Sequence, residues 1–257
     1  MNQDEPTFIP VGDKDNHRSI AVLQSKGENG KPGIFWLGGF KSSMAGEKAL
    51  ALDTWGQANN VFVTRFDYSG HGESSGVFEE QTITNWLEEA EAVFTSTTSG
   101  PQVLVGSSMG GWLALLLALR VGPERLAGIV LIAPAWDMTE RNMWQRFTDD
   151  IKEQIKTKGF YARPSAYGDG DYIITKKLIE DGRNHLLGDK LLKIGAPIHI
   201  LHGKDDPDVP WEHGHALTTL LAQDDVTFTL VPDGDHRLSR PQDIALLIKA
   251  TGAFFQP

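Results

Sequence analysis

An α/β fold with a mostly parallel central sheet, covered by helices on both faces, is what this 257-residue sequence predicts. Three observations carry it. Short apolar runs alternate with helix-length stretches, the pattern of β-α units whose strands are buried on both faces. The run Val103-Leu104-Val105 ends in Gly106-Ser107-Ser108-Met109-Gly110 and passes at once into a helix pattern that is apolar nearly all round, as suits a helix packed at the centre of a sheet. The alternation then breaks between residues 134 and 197, an interval too long for one crossover helix, which predicts an insertion.

Composition bounds the functional classes. With 40% hydrophobic and 23% charged residues the chain can bury a large core as one α/β domain with a modest insertion. The formal net charge of -10 argues against nucleic acid or an anionic membrane as partner, because both need a basic footprint. It also gives no support for polyanionic substrates. There is no cysteine, hence no disulfide, no thiolate metal site and no cysteine nucleophile. The first six residues are polar and acidic and resemble no signal or transit peptide. No apolar run reaches membrane-spanning length, so integral membrane association is not expected and a cytoplasmic location is.

In chain order, 7–11 and 19–24 read as two strands joined by a polar turn, an antiparallel edge. Gly30-Lys31 follows in a turn-rich connector that lacks the spacing and Ser/Thr of a phosphate-binding loop. Ile34-Phe35-Trp36-Leu37 is a buried strand, followed by Gly38-Gly39-Phe40. Residues 46–59 form a helix with Ala49, Leu50, Leu52 and Trp55 on one face. Residues 61–66 are a strand that runs into Asp67-Tyr68-Ser69-Gly70-His71-Gly72, a turn read as structural. Thr82 caps a helix that carries Ile83, Trp86, Leu87, Ala90 and Phe94. Later strands are expected at 126–133, 197–201 and 226–231, and helices at 211–222 and 241–255.

The core domain is accordingly 1–135 with 190–257, and 136–189 is a small cap. The cap is expected to be helical. Met143, Phe147, Ile151 and Ile155 recur every fourth residue with Trp144 alongside, giving one amphipathic helix. A second spans 172–184, beyond a Gly/Pro/Tyr-containing separator at 159–170. An insertion here would sit over the carboxyl edge of the sheet, where open α/β folds bind ligands. Trp136, Trp144, Phe160 and Tyr161 are the candidate pocket residues.

The chemistry centres on Ser108. A strand, a Gly-x-Ser-x-Gly turn and a helix form a nucleophile elbow, in which the flanking residues crowd each other and want no Cβ; here they are Gly106 and Gly110. A serine hydroxyl needs a positioned base, most often histidine. Of eight histidines, His236 is best placed, in Asp233-Gly234-Asp235-His236 directly after the last strand. His71 and His202 also follow strands. His213 and His215 have no third partner that would make a zinc site. The acid that orients the imidazole should precede it in the chain. Asp205, Asp206 and Asp208 all lie in the loop after 197–201; Asp206, mid-loop, is the first choice without excluding the others. The oxyanion would be met by the backbone N–H groups of Met109 and Phe40.

These pieces resemble the α/β-hydrolase fold over nearly the whole chain. Within it, the sequence is similar to the ABHD10-like serine hydrolases, acyl-protein thioesterases and acyl-glucuronide esterases. The stretches that carry the resemblance are Gly39-Phe40-Lys41-Ser42-Ser43-Met44-Ala45-Gly46 with Lys48-Ala49, Arg65-Phe66-Asp67-Tyr68-Ser69-Gly70 and Val105 to Trp112. Leu201-His202-Gly203, Val209-Pro210-Trp211 and Asp235-His236-Arg237 complete it. The resemblance implies a triad of Ser108, Asp206 and His236 with Phe40 and Met109 as oxyanion donors. It implies a carboxylic ester or thioester hydrolase that needs no metal or cofactor and acts on a small-molecule or acyl-protein substrate. The alternatives are an amide or peptide hydrolase and a catalytically silent binding module.

Overall fold

The computed structural model describes residues 5–164 and 171–256. Strands β1 (Thr7–Val11) and β2 (Arg18–Gln24) pair antiparallel, as their short polar connection demands. Then β3 (Gly33–Leu37), α1 (Glu47–Asn59), β4 (Val63–Phe66), α2 (Ile83–Thr97), β5 (Gln102–Ser107), α3 (Met109–Val121) and β6 (Leu126–Ile132) alternate. The inserted region contains α4 (Asp149–Lys158), β7 (Phe160–Arg163), β8 (Tyr172–Thr175) and α5 (Lys176–Gly182). The chain closes with β9 (Ile198–Gly203), α6 (Trp211–Leu220), β10 (Val226–Val231) and α7 (Pro241–Gly252).

Eight strands form one sheet in the order β1-β2-β4-β3-β5-β6-β9-β10. Only β2 runs against its neighbours; the other pairings in this sheet are parallel. Apolar side chains fill both faces. On one, α2 and α3 bury Trp86, Phe94, Trp112 and Leu117; on the other, α1 and α7 bury Ala49, Leu52 and Leu247. Both faces being dry explains why β3, β5 and β6 read as continuous apolar runs rather than alternating ones.

The insertion departs from the helical expectation, and local capping explains where. Met138–Met143 form a π-helical turn and Trp144–Arg146 a 3-10 turn. Phe147 is extended, and α4 starts afresh behind Thr148, whose hydroxyl accepts from the Ile151 N–H at 3.3 Å. A capping threonine followed by Asp149 and Asp150 at the positive helix end is a start signal that outweighs four-residue apolar spacing. The expected helix at 172–184 begins instead as strand β8, which pairs antiparallel with β7. Its Tyr-Ile-Ile-Thr composition suits a pleated surface, and Thr175 then caps α5 by accepting from the Leu178 N–H at 3.1 Å. Part of the expected separator is thus strand β7; residues 165–170 lie outside the described residues.

The two ends of the insertion are tied at its base. The Asp137 carboxylate accepts from the Leu187 N–H at 2.7 Å and the Gly188 N–H at 3.0 Å, and pairs with Arg141. The Thr84 hydroxyl, at the start of α2, donates to Asp181 of α5 at 2.7 Å. The insertion is therefore anchored where it leaves and re-enters the sheet edge and against one flanking helix.

Candidate active site

Four loops at the carboxyl edge of the sheet meet around Ser108. The elbow is the tightest. Ser108 has φ 54° and ψ -117°, a conformation that costs on the order of 1–3 kcal/mol for a residue with a side chain and persists only when its surroundings enforce it. Its N–H donates to the Ile132 carbonyl at 2.9 Å, and its own carbonyl accepts from the N–H groups of Gly111 and Ala135 at 2.9 and 3.0 Å. A Cβ on Gly106 would collide with the Gly110 carbonyl, and one on Gly110 with the carbonyls of Leu37 and Gly38. Of the six non-glycine residues with positive φ among the described residues, five (Lys41, Ser108, Ala133, Asp137 and Leu238) sit in loops leaving the carboxyl ends of β3, β5, β6 and β10.

The loop after β10 brings His236 to the serine. Its Nε2 lies 3.0 Å from Ser108 Oγ, and its Nδ1 lies 2.7 Å from Asp206 Oδ2. An ionised carboxylate can only accept, so Nδ1 carries the proton and Nε2 is the acceptor for the serine hydroxyl. Asp206, in the loop after β9, is the one of the three candidate aspartates bonded to His236. Its Oδ1 accepts from the N–H groups of Asp208 and Val209 at 2.9 and 2.8 Å. Behind it, the fully buried His202 places Nε2 2.9 Å from the Val209 carbonyl and 3.3 Å from Asp206 Oδ2. Burial alone would raise the Asp206 carboxyl, but these hydrogen bonds from His202, His236 and Val209 hold it well below the usual carboxylate range.

Phe40 lines the cleft, and Met109 directly follows Ser108. Neither backbone N–H donates to another group among the described residues. Met109 opens α3, whose first N–H groups are unpaired and carry the positive end of the helix. The Phe40 loop is held from behind by the Asp67–Gly72 turn. The Lys41 N–H donates to His71 Nε2 at 3.0 Å, His71 Nδ1 lies 3.2 Å from the Ser69 carbonyl, and the Met44 N–H donates to Asp67 Oδ1 at 2.6 Å. Burial pushes the His71 imidazole down to about 4, keeping it neutral and Nε2 available as an acceptor. His71 thus serves the backbone next to Phe40 rather than Ser108, a role that sequence spacing gave no sign of.

A cleft of about 460 Å³ opens over Ser108 and His236. Phe40, Met138, Met143, Ile174 and Val209 give it apolar walls. Lys41, Lys48, Arg163 and Arg237 reach it too, against the carboxylates of Glu47 and Asp208. The cations lining the cleft outnumber its lining carboxylates, in contrast to the chain's net charge of -10. Trp136, Trp144, Phe160 and Tyr161, expected in the pocket, do not line it. Trp136 is buried and stacks on His213 with ring centroids 4.8 Å apart. Trp144 lies against the cations of Lys152 and Arg183, Tyr161 packs on Phe147, and Phe160 is exposed. The aromatic that does line the cleft from the insertion is Tyr172, packed edge-on against Phe40 at 6.0 Å.

Asp206, Asp208 and His236 lie close enough together to be considered as metal ligands. The donor set argues otherwise: His202, His236 and two backbone N–H groups already occupy the acceptor positions of Asp206.

A sequence profile of the alpha/beta hydrolase family matches residues 33–245. The chain belongs to the alpha/beta hydrolase family, among its ABHD10-like members. It is a hydrolase. It is 33% identical over 231 residues to the human palmitoyl-protein thioesterase ABHD10, a mitochondrial protein, covering 90% of this chain and 74% of the relative. A crystal structure of a protein from Agrobacterium vitis S4 superposes with a TM-score of 0.94 at 42% identity, covering 98% of this chain and 99% of that one. Mouse alpha/beta hydrolase domain-containing protein 10 superposes with a TM-score of 0.86 at 30% identity, over 96% and 97% of the two chains. Among the described residues, no helix is long and apolar enough to cross a membrane.

Proposed function

We propose that this protein hydrolyses carboxylic esters or thioesters through an acyl-enzyme formed on Ser108. The observation that carries the reading is His236 bridging Ser108 Oγ at 3.0 Å and Asp206 at 2.7 Å, beside two unengaged backbone N–H groups. As Ser108 Oγ attacks the carbonyl carbon, its proton passes to His236 Nε2, and the ionised Asp206 stabilises the imidazolium. The carbonyl oxygen takes up negative charge and receives hydrogen bonds from the Phe40 and Met109 N–H groups. Collapse expels the alcohol or thiol, which takes the proton from His236. Water, deprotonated by His236, then attacks the acyl carbon and releases the acid and Ser108. No step calls for a metal or cofactor.

Residues 136–189 act as a cap that shapes the cleft and sets substrate preference. A small-molecule ester and an acyl group on a protein both suit the open cleft. Among ester classes that the resemblance brings in, the lysine and arginine side chains on the wall favour leaving groups that bear a carboxylate. The test is a panel of p-nitrophenyl esters, matched thioesters and acyl glucuronides assayed with the wild type and Ser108→Ala. Turnover by the wild type and a loss of about 10⁴-fold or more in the variant is expected. Turnover unchanged in Ser108→Ala would end the proposal.

A further inference from the structure

We infer that Lys48 is a positioning residue: its ammonium group reaches from the first turn of α1 to hold the loop that carries His236 at the distance Ser108 requires. The inference rests on the triad reading and adds a component to it.

Lys48 sits where a lysine is locally disfavoured. It is the second residue of α1, at the positive end of the helix dipole, and its side chain is partly buried instead of extended into water. Nothing in helix formation calls for a cation there. Its Nζ instead crosses to the loop after β10, donating to the Arg237 carbonyl and to Ser239 Oγ at 3.2 Å. Arg237 directly follows His236, so the bond fixes the 237–238 peptide, one residue beyond the imidazole.

That loop needs an external tie. Leu238 has φ 44°, left-handed backbone that a branched side chain rarely adopts. From inside the loop, Asp235 Oδ1 accepts from the N–H groups of Arg237 and Leu238 at 3.1 and 3.0 Å. Lys48 grips the same turn from a different element, and it also lines the cleft. A charged donor makes this a stronger bond than a neutral one would. The charged groups that act on Lys48 are Glu47 on its own helix, Asp235 and Arg237 on the loop, and Asp243 on α7. Burial lowers the ammonium to about 8 despite the pull of Asp235; Arg237 lowers it further, while Glu47 and Asp243 raise it. The tie is at full strength below that pH and weakens above it, as the amine loses its charge.

The experiment measures kcat and KM for a p-nitrophenyl ester from pH 6 to 9.5 in the wild type, Lys48→Met and Lys48→Arg. In the wild type, kcat is expected to fall on an alkaline limb near pH 8. Lys48→Met should lower kcat at pH 7 by about tenfold with KM within about twofold, and should lose the limb. Lys48→Arg, charged throughout, should recover kcat relative to Lys48→Met and also lack the limb. A wild-type kcat that stays level or rises through pH 9.5 overturns the inference, as does a limb that persists in either variant. Labelling by a fluorophosphonate at pH 7 separates the two readings. No labelling of the wild type would remove the triad reading itself. Labelling alongside an unchanged Lys48→Met profile would remove only Lys48.

Discussion

Ser108 in the β5–α3 turn and Met143 in the π-helical turn above it face the same cleft, yet they are held in different ways. Ser108 is fixed by backbone hydrogen bonds to two neighbouring segments and by glycines that leave no room for a single added carbon. Met143 belongs to a segment of short turns secured by capping threonines, by Asp137 at its base and by partly exposed ion pairs such as Arg163–Asp208 and Arg183–Glu140. The sheet edge tolerates no change of shape. The insertion carries its cleft-lining side chains on turns outside the sheet, and touches Asp206 only at one remove, through Arg163 and Arg146 on Asp208, whose N–H donates to Asp206.

Substitutions can break or sharpen this contrast. The largest effect is expected from Gly110→Ala, whose methyl group meets backbone on β3 that cannot move aside. A loss of about 3 kcal/mol or more in urea denaturation should accompany loss of activity. Wild-type stability in that variant would mean that the elbow is less tightly packed than described.

His71→Ala should come next. Without the acceptor for the Lys41 N–H, the Phe40 loop is held less firmly and kcat should drop about tenfold to a hundredfold, with KM changing less. Full kcat in that variant would show that the Asp67–Gly72 turn has no part in holding the Phe40 loop.

Smaller shifts are expected in the insertion. Met143→Ala should alter preference among acyl chain lengths by about threefold to tenfold, and because Met143 is buried in the main core cluster it should also cost about 2 kcal/mol or more of stability. Arg163→Ala should raise KM for a carboxylate-bearing ester more than for a neutral one. An equal effect on both esters would assign the arginine to packing alone.

The smallest prediction concerns pH. Burial lowers both His71 and His213 to about 4, so the fold keeps them neutral. The unfolded chain takes up a proton on each near pH 6.5. Between those values the unfolded state binds more protons, so this contribution to stability is complete above about 6.5 and is lost as pH falls toward 4. Melting temperature should decline across that window, and His71→Gln should flatten the slope.

These contrasts also explain what the sequence made legible. Ser108 and His236 could be read because each follows a strand directly, and the strand's apolar run fixes where its loop must emerge. Asp206 was less sharply marked: three aspartates share its loop, and it is the folded contacts with Val209, His202 and His236 that single it out. The insertion was misread where short-range capping overrode periodicity, at Thr148 and Thr175. The pocket aromatics were misplaced because size and apolarity say that a ring will be buried but not against what. Trp136 found His213, and Tyr161 found Phe147. His71 and Lys48 act on backbone carbonyls and N–H groups, partners that no side-chain motif records.

The most direct measurement is to label the protein with a fluorophosphonate and locate the adduct by peptide mass spectrometry. One adduct is expected, on Ser108 Oγ, formed slowly or not at all in His236→Ala. An adduct on any other residue, or rapid labelling of Ser108 without His236, would contradict it.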